Sequence, residues 1–269
     1  MKDLVLFGDC KQTLGAFIDK AQMCVTSPPY YGLRDYGGED NQIGQESSPE
    51  EYIQNLVEVF REVRNVLTED GTLWLNMGDS YYNYRPGKGQ GLVKQTVSNS
   101  KQDLPDKCAR RGNKLDGLKE KDLIGIPWML AFALRADGWY LRQDIIWSKG
   151  NPMPESVRDR CTKSHEYLFL LSKNQNYYFD VDAIKEPTRR KRSVWNITKK
   201  PYKDAHFAVY PPELIIPCIK AGSEKNDIIL DPFIGSGTTA MVAKSLGRDY
   251  IGCELHEDYG KLIQKRLTE

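Results

Sequence analysis

The segment Asp231-Pro232-Phe233-Ile234-Gly235-Ser236-Gly237-Thr238-Thr239-Ala240 constrains this chain most. It follows a strand-like run, Asp227–Leu230, and opens a helical stretch, Ser236–Leu246. A strand that turns through glycines straight into a helix lets the backbone approach a ligand closely. The next strand, Tyr250–Cys253, ends at Glu254, where a carboxylate reaches the hydroxyls of a ribose in sheets of this kind. Together these features mark a nucleotide-type cofactor site. Its cofactor stays open from this segment alone, because Gly235-x-Gly237-x-x-Ala240 also satisfies the dinucleotide fingerprint. A P-loop is excluded, since no Gly-Lys-Ser/Thr closes the motif.

The rest of the chain repeats the strand-helix alternation. Leu4–Phe7 predicts a short buried strand, followed by a helical stretch over 11–20. Met23–Thr26 predicts a second strand, stopped by Pro28-Pro29. Ile53, Leu56, Val57, Phe60, Val63 and Leu67 keep helical spacing, and Pro49-Glu50-Glu51 favours initiation at Pro49. Asp70-Gly71 reads as the turn into a strand over Thr72–Met77. A helix is expected over 122–137, strands over Tyr140–Trp147, His165–Ser172 and Tyr177–Asp180, and helices from Pro211 and over 256–267. Such alternation argues for an α/β fold with a mainly parallel, helix-covered sheet. No linker divides the chain, so residues 1–269 are expected to form a single domain, with 83–120 as a long flexible insertion.

Thr26-Ser27-Pro28-Pro29-Tyr30 stands just after a strand, where open α/β sheets place their active sites. The two prolines fix φ and remove N–H donors, which leaves the Pro28 carbonyl free to accept. Ser27 offers a second oxygen. Two acceptors converging on an NH₂ group orient it and aim its lone pair at an electrophile, and Tyr30 supplies a flat face for a base.

These two motifs together resemble the amino-methyltransferases of DNA. Their order resembles the beta class, in which the catalytic motif precedes the cofactor motif. The resemblance extends over nearly the whole chain, through Gly8-Asp9-Cys10, Asp70–Tyr81, Ile146–Pro154, His165–Leu168, Ser193–Ile197 and His206–Leu214. It implies a Rossmann-like fold, a seven-stranded, mostly parallel sheet, circularly permuted relative to other methyltransferases. The strands near 22–26 and 227–231 should lie side by side at its centre. It further implies S-adenosyl-L-methionine as cofactor, held by Asp231, Phe233, Gly235, Gly237, Thr238 and Glu254, with Asp9 and Cys10 near its adenine. The implied reaction is methylation of an exocyclic amino nitrogen on a base flipped out of duplex DNA, with Ser27, Pro28, Pro29 and Tyr30 as the catalytic set. In this family the Ser-Pro-Pro-Tyr form is associated mainly with cytosine N4, which favours that atom over adenine N6.

The residues leave alternatives open. An amide or RNA methyltransferase also uses an x-Pro-Pro-Tyr site, and a nicotinamide-dependent oxidoreductase fits the glycines but leaves Ser27–Tyr30 unexplained. Cytosine C5 chemistry needs a cysteine nucleophile. Pro217-Cys218 lies in the apolar run Leu214–Ile219 and reads as a core thiol, and His165 and Trp195 read as structural.

The net charge is +1, so DNA contacts must be gathered locally. Residues 185–203 carry eight lysines and arginines against Glu186 alone. Arg189, Arg190, Lys191, Arg192, Lys199 and Lys200 are the expected DNA-binding set, within a target-recognition region over 181–205. The six cysteines form no CxxC and the three histidines give no zinc pattern, so no metal is expected and the thiols read as reduced. No apolar run approaches the roughly 20 residues of a membrane span. A cytoplasmic enzyme, monomer or homodimer, is expected, with a restriction endonuclease as a possible cognate partner.

Overall fold

The computed structural model describes residues 2–15, 20–32, 42–82, 115, 117–198 and 210–268. Most of the 83–120 insertion, and Lys199 and Lys200, therefore lie outside the described residues. In chain order the elements are β1 (Leu4–Phe7), α1 (Cys10–Gly15), β2 (Ala21–Thr26), α2 (Pro49–Val66), β3 (Leu67–Met77), α3 (Ile126–Ala136), β4 (Tyr140–Ser148), β5 (His165–Ser172), β6 (Val194–Asn196), α4 (Pro212–Gly222), β7 (Ile228–Asp231), α5 (Thr238–Ser245), β8 (Asp249–Glu254) and α6 (Tyr259–Thr268).

The strands form one sheet in the order β1-β8-β7-β2-β3-β5-β4-β6. Only the two pairings of β5 are antiparallel. Among the described residues the sheet has eight strands rather than seven, because the three-residue β6 joins the edge beside β4. As the permuted order requires, β2 and β7 are neighbours, with Met23 opposite Ile229 and Cys24 opposite Leu230.

Alternation along the central strands sends side chains to two cores. Cys24, Leu73 and Leu75 pack with Leu14, Tyr52, Phe60 and Leu130 from α1, α2 and α3. Met23, Val25 and Trp74 pack with Leu214, Ile219, Ala240 and Ile263 from α4, α5 and α6. Both faces are covered, which explains why these strands read as continuous apolar runs. Helix α2 starts where expected: the Ser48 side chain caps it by accepting from the Glu51 N–H at 3.2 Å.

Three expectations are corrected. Asp70-Gly71 lies inside β3, where the pairing jumps from Ala21–Leu67 to Met23–Thr72, so the turn signal marks an irregularity within a strand. Tyr177–Asp180 is no strand: the Tyr178 N–H donates to the Asp70 carbonyl (2.9 Å) and the Asp180 N–H to the Ala221 carbonyl (2.8 Å), which are separate elements. Helix α3 begins at Ile126, because Gly125 (φ +88°) and Pro127 set its start.

Candidate active site

All strands but β5 run the same way, so their carboxyl ends share one edge of the sheet. Because β5 is reversed, its first residues return to that edge, with Tyr167 opposite Met77 and His165 opposite Ser148. The edge thus gathers Asp9 after β1, Ser27–Tyr30 after β2, Gly78-Asp79 after β3, Lys149 after β4, His165-Glu166 opening β5, the glycine turn after β7 and Glu254 closing β8. Ligands of open α/β sheets bind at this edge.

Asp231 stands at the β2–β7 seam and is 1% exposed. Its carboxylate accepts from the hydroxyls of Thr26 (2.6 Å), Tyr210 (3.1 Å) and Thr239, and from the Phe233 N–H (3.0 Å). The Thr26 bond joins residues 205 positions apart and brings the two sequence motifs together. Burial raises the Asp231 carboxyl, while these four donors pull it down again. These four donors fix Asp231 at the seam between β2 and β7.

Tyr30 is held from the opposite side. Its hydroxyl donates to the Glu166 carboxylate at 2.8 Å and lies 3.4 Å from Asn76 Oδ1 and 3.5 Å from Ser27 Oγ. Glu166 also accepts from Asn76 Nδ2 (3.2 Å) and from the Lys149 ammonium, and Lys149 and Glu166 are both largely buried. Burial, and then the Glu166 charge, push the Tyr30 phenol well above its ordinary value, so it keeps its proton. The ring lies against Gly78, where an added Cβ would come within 2.7 Å of Tyr30 Cε2. The Tyr52 hydroxyl donates to the Pro29 carbonyl (2.8 Å), whereas among the described residues no donor reaches the Pro28 carbonyl. The carbonyl of the second proline is therefore engaged internally, and that of the first is not.

Sequence reasoning missed Asn76, Lys149 and Glu166. A signal existed: Asn76 lies in the apolar run Leu73–Met77 and Glu166 just before the apolar run Tyr167–Leu171, and both are buried. Lys163 belongs to the same corner. Its ammonium is buried without a hydrogen-bond partner among the described residues, and burial lowers it against the attraction of Asp79 and Glu166.

The glycine turn forms the other half. Gly237 caps α5 with φ +82°, a conformation natural to glycine. The Gly235 N–H donates to one oxygen of Glu254 and the His256 N–H to the other, each at 3.1 Å. Burial raises the Glu254 carboxyl against these donors. The Thr238 hydroxyl, at the start of α5, is buried without a partner among the described residues, and only the Phe233 carbonyl (3.9 Å) comes within 4 Å of a Cβ built on Gly235. An open backbone, an orphaned hydroxyl and a half-buried carboxylate fit a nucleoside ligand carrying polar groups. Asp9 accepts from the Lys11 N–H (2.8 Å) at the start of α1. Cys10 is buried, its thiol pushed up to about 12 by burial and by neighbouring Cys253 and Asp9.

The basic segment enters β6 at the end away from this edge. Arg190 and Arg192 are exposed. Arg189 pairs with Glu186 (2.6 Å), and Lys191 lies over the ring of the buried Trp195 (4.8 Å). Trp195 anchors the segment by donating to the Arg192 carbonyl (2.7 Å). Cys218 is fully buried and its thiol is pushed up by burial, as a core residue requires. Among the described residues no cluster suits a metal ion, and no helix is long and apolar enough to cross a membrane.

Comparison with known proteins agrees with this architecture. The family described as DNA methylase matches residues 21–265. The type II methyltransferase M.SmaI of Serratia marcescens is 47% identical, covering 98% of this chain and 90% of that protein. The type II methyltransferase M.Cfr9I of Citrobacter freundii is 48% identical over 97% of this chain and 86% of its own length. Among solved structures, the PvuII DNA methyltransferase (cytosine-N4-specific) superposes with a TM-score of 0.74 at 18% identity, covering 100% of this chain and 87% of the other. The M1.HpyAVI–SAM complex gives 0.64 at 19%, covering 99% of each. With a family match along most of its length and relatives near half identity over nearly all of it, the chain belongs to the DNA methylase family.

Proposed function

We propose that this chain is a site-specific DNA methyltransferase that uses S-adenosyl-L-methionine to methylate N4 of a cytosine flipped out of duplex DNA, in a restriction-modification setting. The observation that carries the reading is the juxtaposition at the β2–β7 seam: Ser27–Tyr30 and the glycine turn are far apart in sequence, yet Thr26 and Asp231 share a hydrogen bond of 2.6 Å. The names of the relatives support the DNA substrate and the type II context. The cytosine-N4 specificity of the PvuII methyltransferase supports the same atom here by analogy, as does Ser27 itself.

In this reading Asp231, Phe233, Gly235, Gly237, Thr238 and Glu254 form the cofactor site, with Asp9 and Cys10 at its adenine. Bound there, S-adenosyl-L-methionine supplies an electrophilic methyl group. The chain's own work is orientation. Tyr30, fixed by Glu166, offers a ring face on which the base stacks. Ser27 Oγ and the Pro28 carbonyl accept from the amino group and turn its lone pair toward the cofactor side. Rate then comes from alignment and preorganised dipoles, and the amino proton leaves late without a dedicated base. Arg189, Arg190 and Arg192 are exposed cations of the basic segment and, with Lys191, meet phosphates; Lys199 and Lys200 extend that set.

The test is incubation with S-adenosyl-L-methionine and unmethylated duplex DNA, digestion to nucleosides and mass spectrometry. N4-methylcytosine is expected, and Ser27→Ala should lose most of it. N6-methyladenine would overturn the choice of base but keep the site. No methylated nucleoside, despite cofactor binding, would overturn the DNA reading.

A further inference from the structure

The segment between β4 and β5 is left unused by this mechanism, although it rises from the same edge. Its root is closed by the Lys149 N–H, which donates to the Ser164 carbonyl at 2.8 Å. It is braced internally: Glu155 accepts from Arg160 (2.5 Å) and from the Lys163 N–H (3.3 Å), and the Arg160 guanidinium lies 3.9 Å from the centre of the Tyr81 ring. Lys121 pairs with Asp159 at 2.7 Å, tying the segment to the turn before α3. This is a supported arm, and it carries an exposed apolar side chain. Met153 is 80% exposed, more than any other large hydrophobic residue among those described.

Met153 stands between Pro152 and Pro154. Proline on either side restricts the local backbone, so the thioether is presented at little entropic cost. The root of the arm is part of the active site, since Lys149 holds Glu166 and Glu166 holds Tyr30. Four residues span at most about 14 Å, so the tip stays within reach of the nucleotides flanking a base stacked on Tyr30. Arg158, on the same arm, is exposed and cationic, as a neighbour of phosphates should be.

We propose that Met153 is a wedge that enters the base stack of the DNA beside the target nucleotide as that nucleotide swings out. The inference rests on the base-extrusion reading above. A base leaving the duplex abandons stacking contacts, and an apolar side chain inserted at the gap replaces part of them. Methionine suits the role because its unbranched, polarizable side chain fills an irregular space.

The experiment compares wild type, Met153→Ala and Met153→Leu on two duplexes that carry the site the enzyme methylates, mapped beforehand by sequencing the modified DNA. In one duplex the target base is normally paired; in the other it faces an abasic position and is already loosely stacked. Met153→Ala should methylate the paired duplex about tenfold more slowly, which corresponds to about 1.4 kcal/mol of lost transition-state stabilisation. It should come within about twofold of wild type on the abasic duplex, and Met153→Leu should stay within about twofold on both. Thermal melting of all three proteins should agree, since the side chain is exposed. Equal rates for Met153→Ala and wild type on the paired duplex would overturn the proposal. So would an equal loss on both duplexes, which would indicate a contact unrelated to unstacking. A wild-type enzyme indifferent to the missing partner base would instead remove the extrusion reading, and this inference with it.

Discussion

Two buried carboxylates hold the stretch from the end of β2 to Tyr30, and they do so by opposite means. Asp231 grips Thr26 and is surrounded by neutral donors, three hydroxyls and one N–H. Glu166 grips Tyr30 and is matched by a buried ammonium, Lys149. The first arrangement joins strands and helices; every donor comes from a core element or its flank. The second fixes one aromatic ring at the rim. A buried acid ringed by hydroxyls suits a seam that must not move, because each donor is itself locked in packed structure. An acid neutralised by a flexible lysine can fix a group that has to meet a ligand, with its charge balanced in the absence of that ligand.

If the contrast is correct, the two carboxylates should fail differently. Asp231→Ala should have the largest effect, since it strands four donors at once, two of them fully buried. Loss of about 3 kcal/mol or more is expected, read as a lower denaturant midpoint, with cofactor binding and methylation failing together. Unchanged stability would break the comparison. Glu166→Gln should cost less in stability, because a neutral acceptor remains for both Tyr30 and Lys149, although Lys149 loses its counter-ion. Its main effect should be on kcat, lowered about tenfold to a hundredfold with cofactor affinity near wild type by calorimetry. Equal losses in kcat and in cofactor affinity would place Glu166 with Asp231. The smallest effect concerns Glu254. Burial raises this carboxyl, so its ionised form is lost at a higher pH than an ordinary glutamate's. Cofactor affinity should be full above that raised value and fall severalfold as pH is lowered through it, and Glu254→Gln should flatten the profile. A wild-type profile as flat as the variant's would show that the carboxylate contributes no charge-dependent contact.

Much of the proposed cofactor half consists of features read from residues alone. The glycine turn, the strand before it and the acid ending the next strand are consecutive features, and local periodicity locates each. Ser27–Tyr30 was legible for the same reason. The boundaries that misled were also local: Asp70-Gly71 has turn chemistry yet lies in β3, because the pairing with β2 absorbs the extra residues as an irregularity. Tyr177–Asp180 has strand-like residues but pairs with no strand among the described residues; the Tyr178 and Asp180 N–H groups go to Asp70 and Ala221.

The sequence by itself determined the α/β alternation, the order of the two motifs and the residue types each site needs, since these depend on neighbours along the chain. Only the tertiary structure decided who holds whom. Tyr30 meets Glu166 across 136 positions because β5 runs backward and returns its first residues to the edge where the other strands end. Thr26 meets Asp231 across 205 because β2 and β7 are neighbours. The register of a sheet is a cooperative result of two whole faces being buried, and no single segment encodes it.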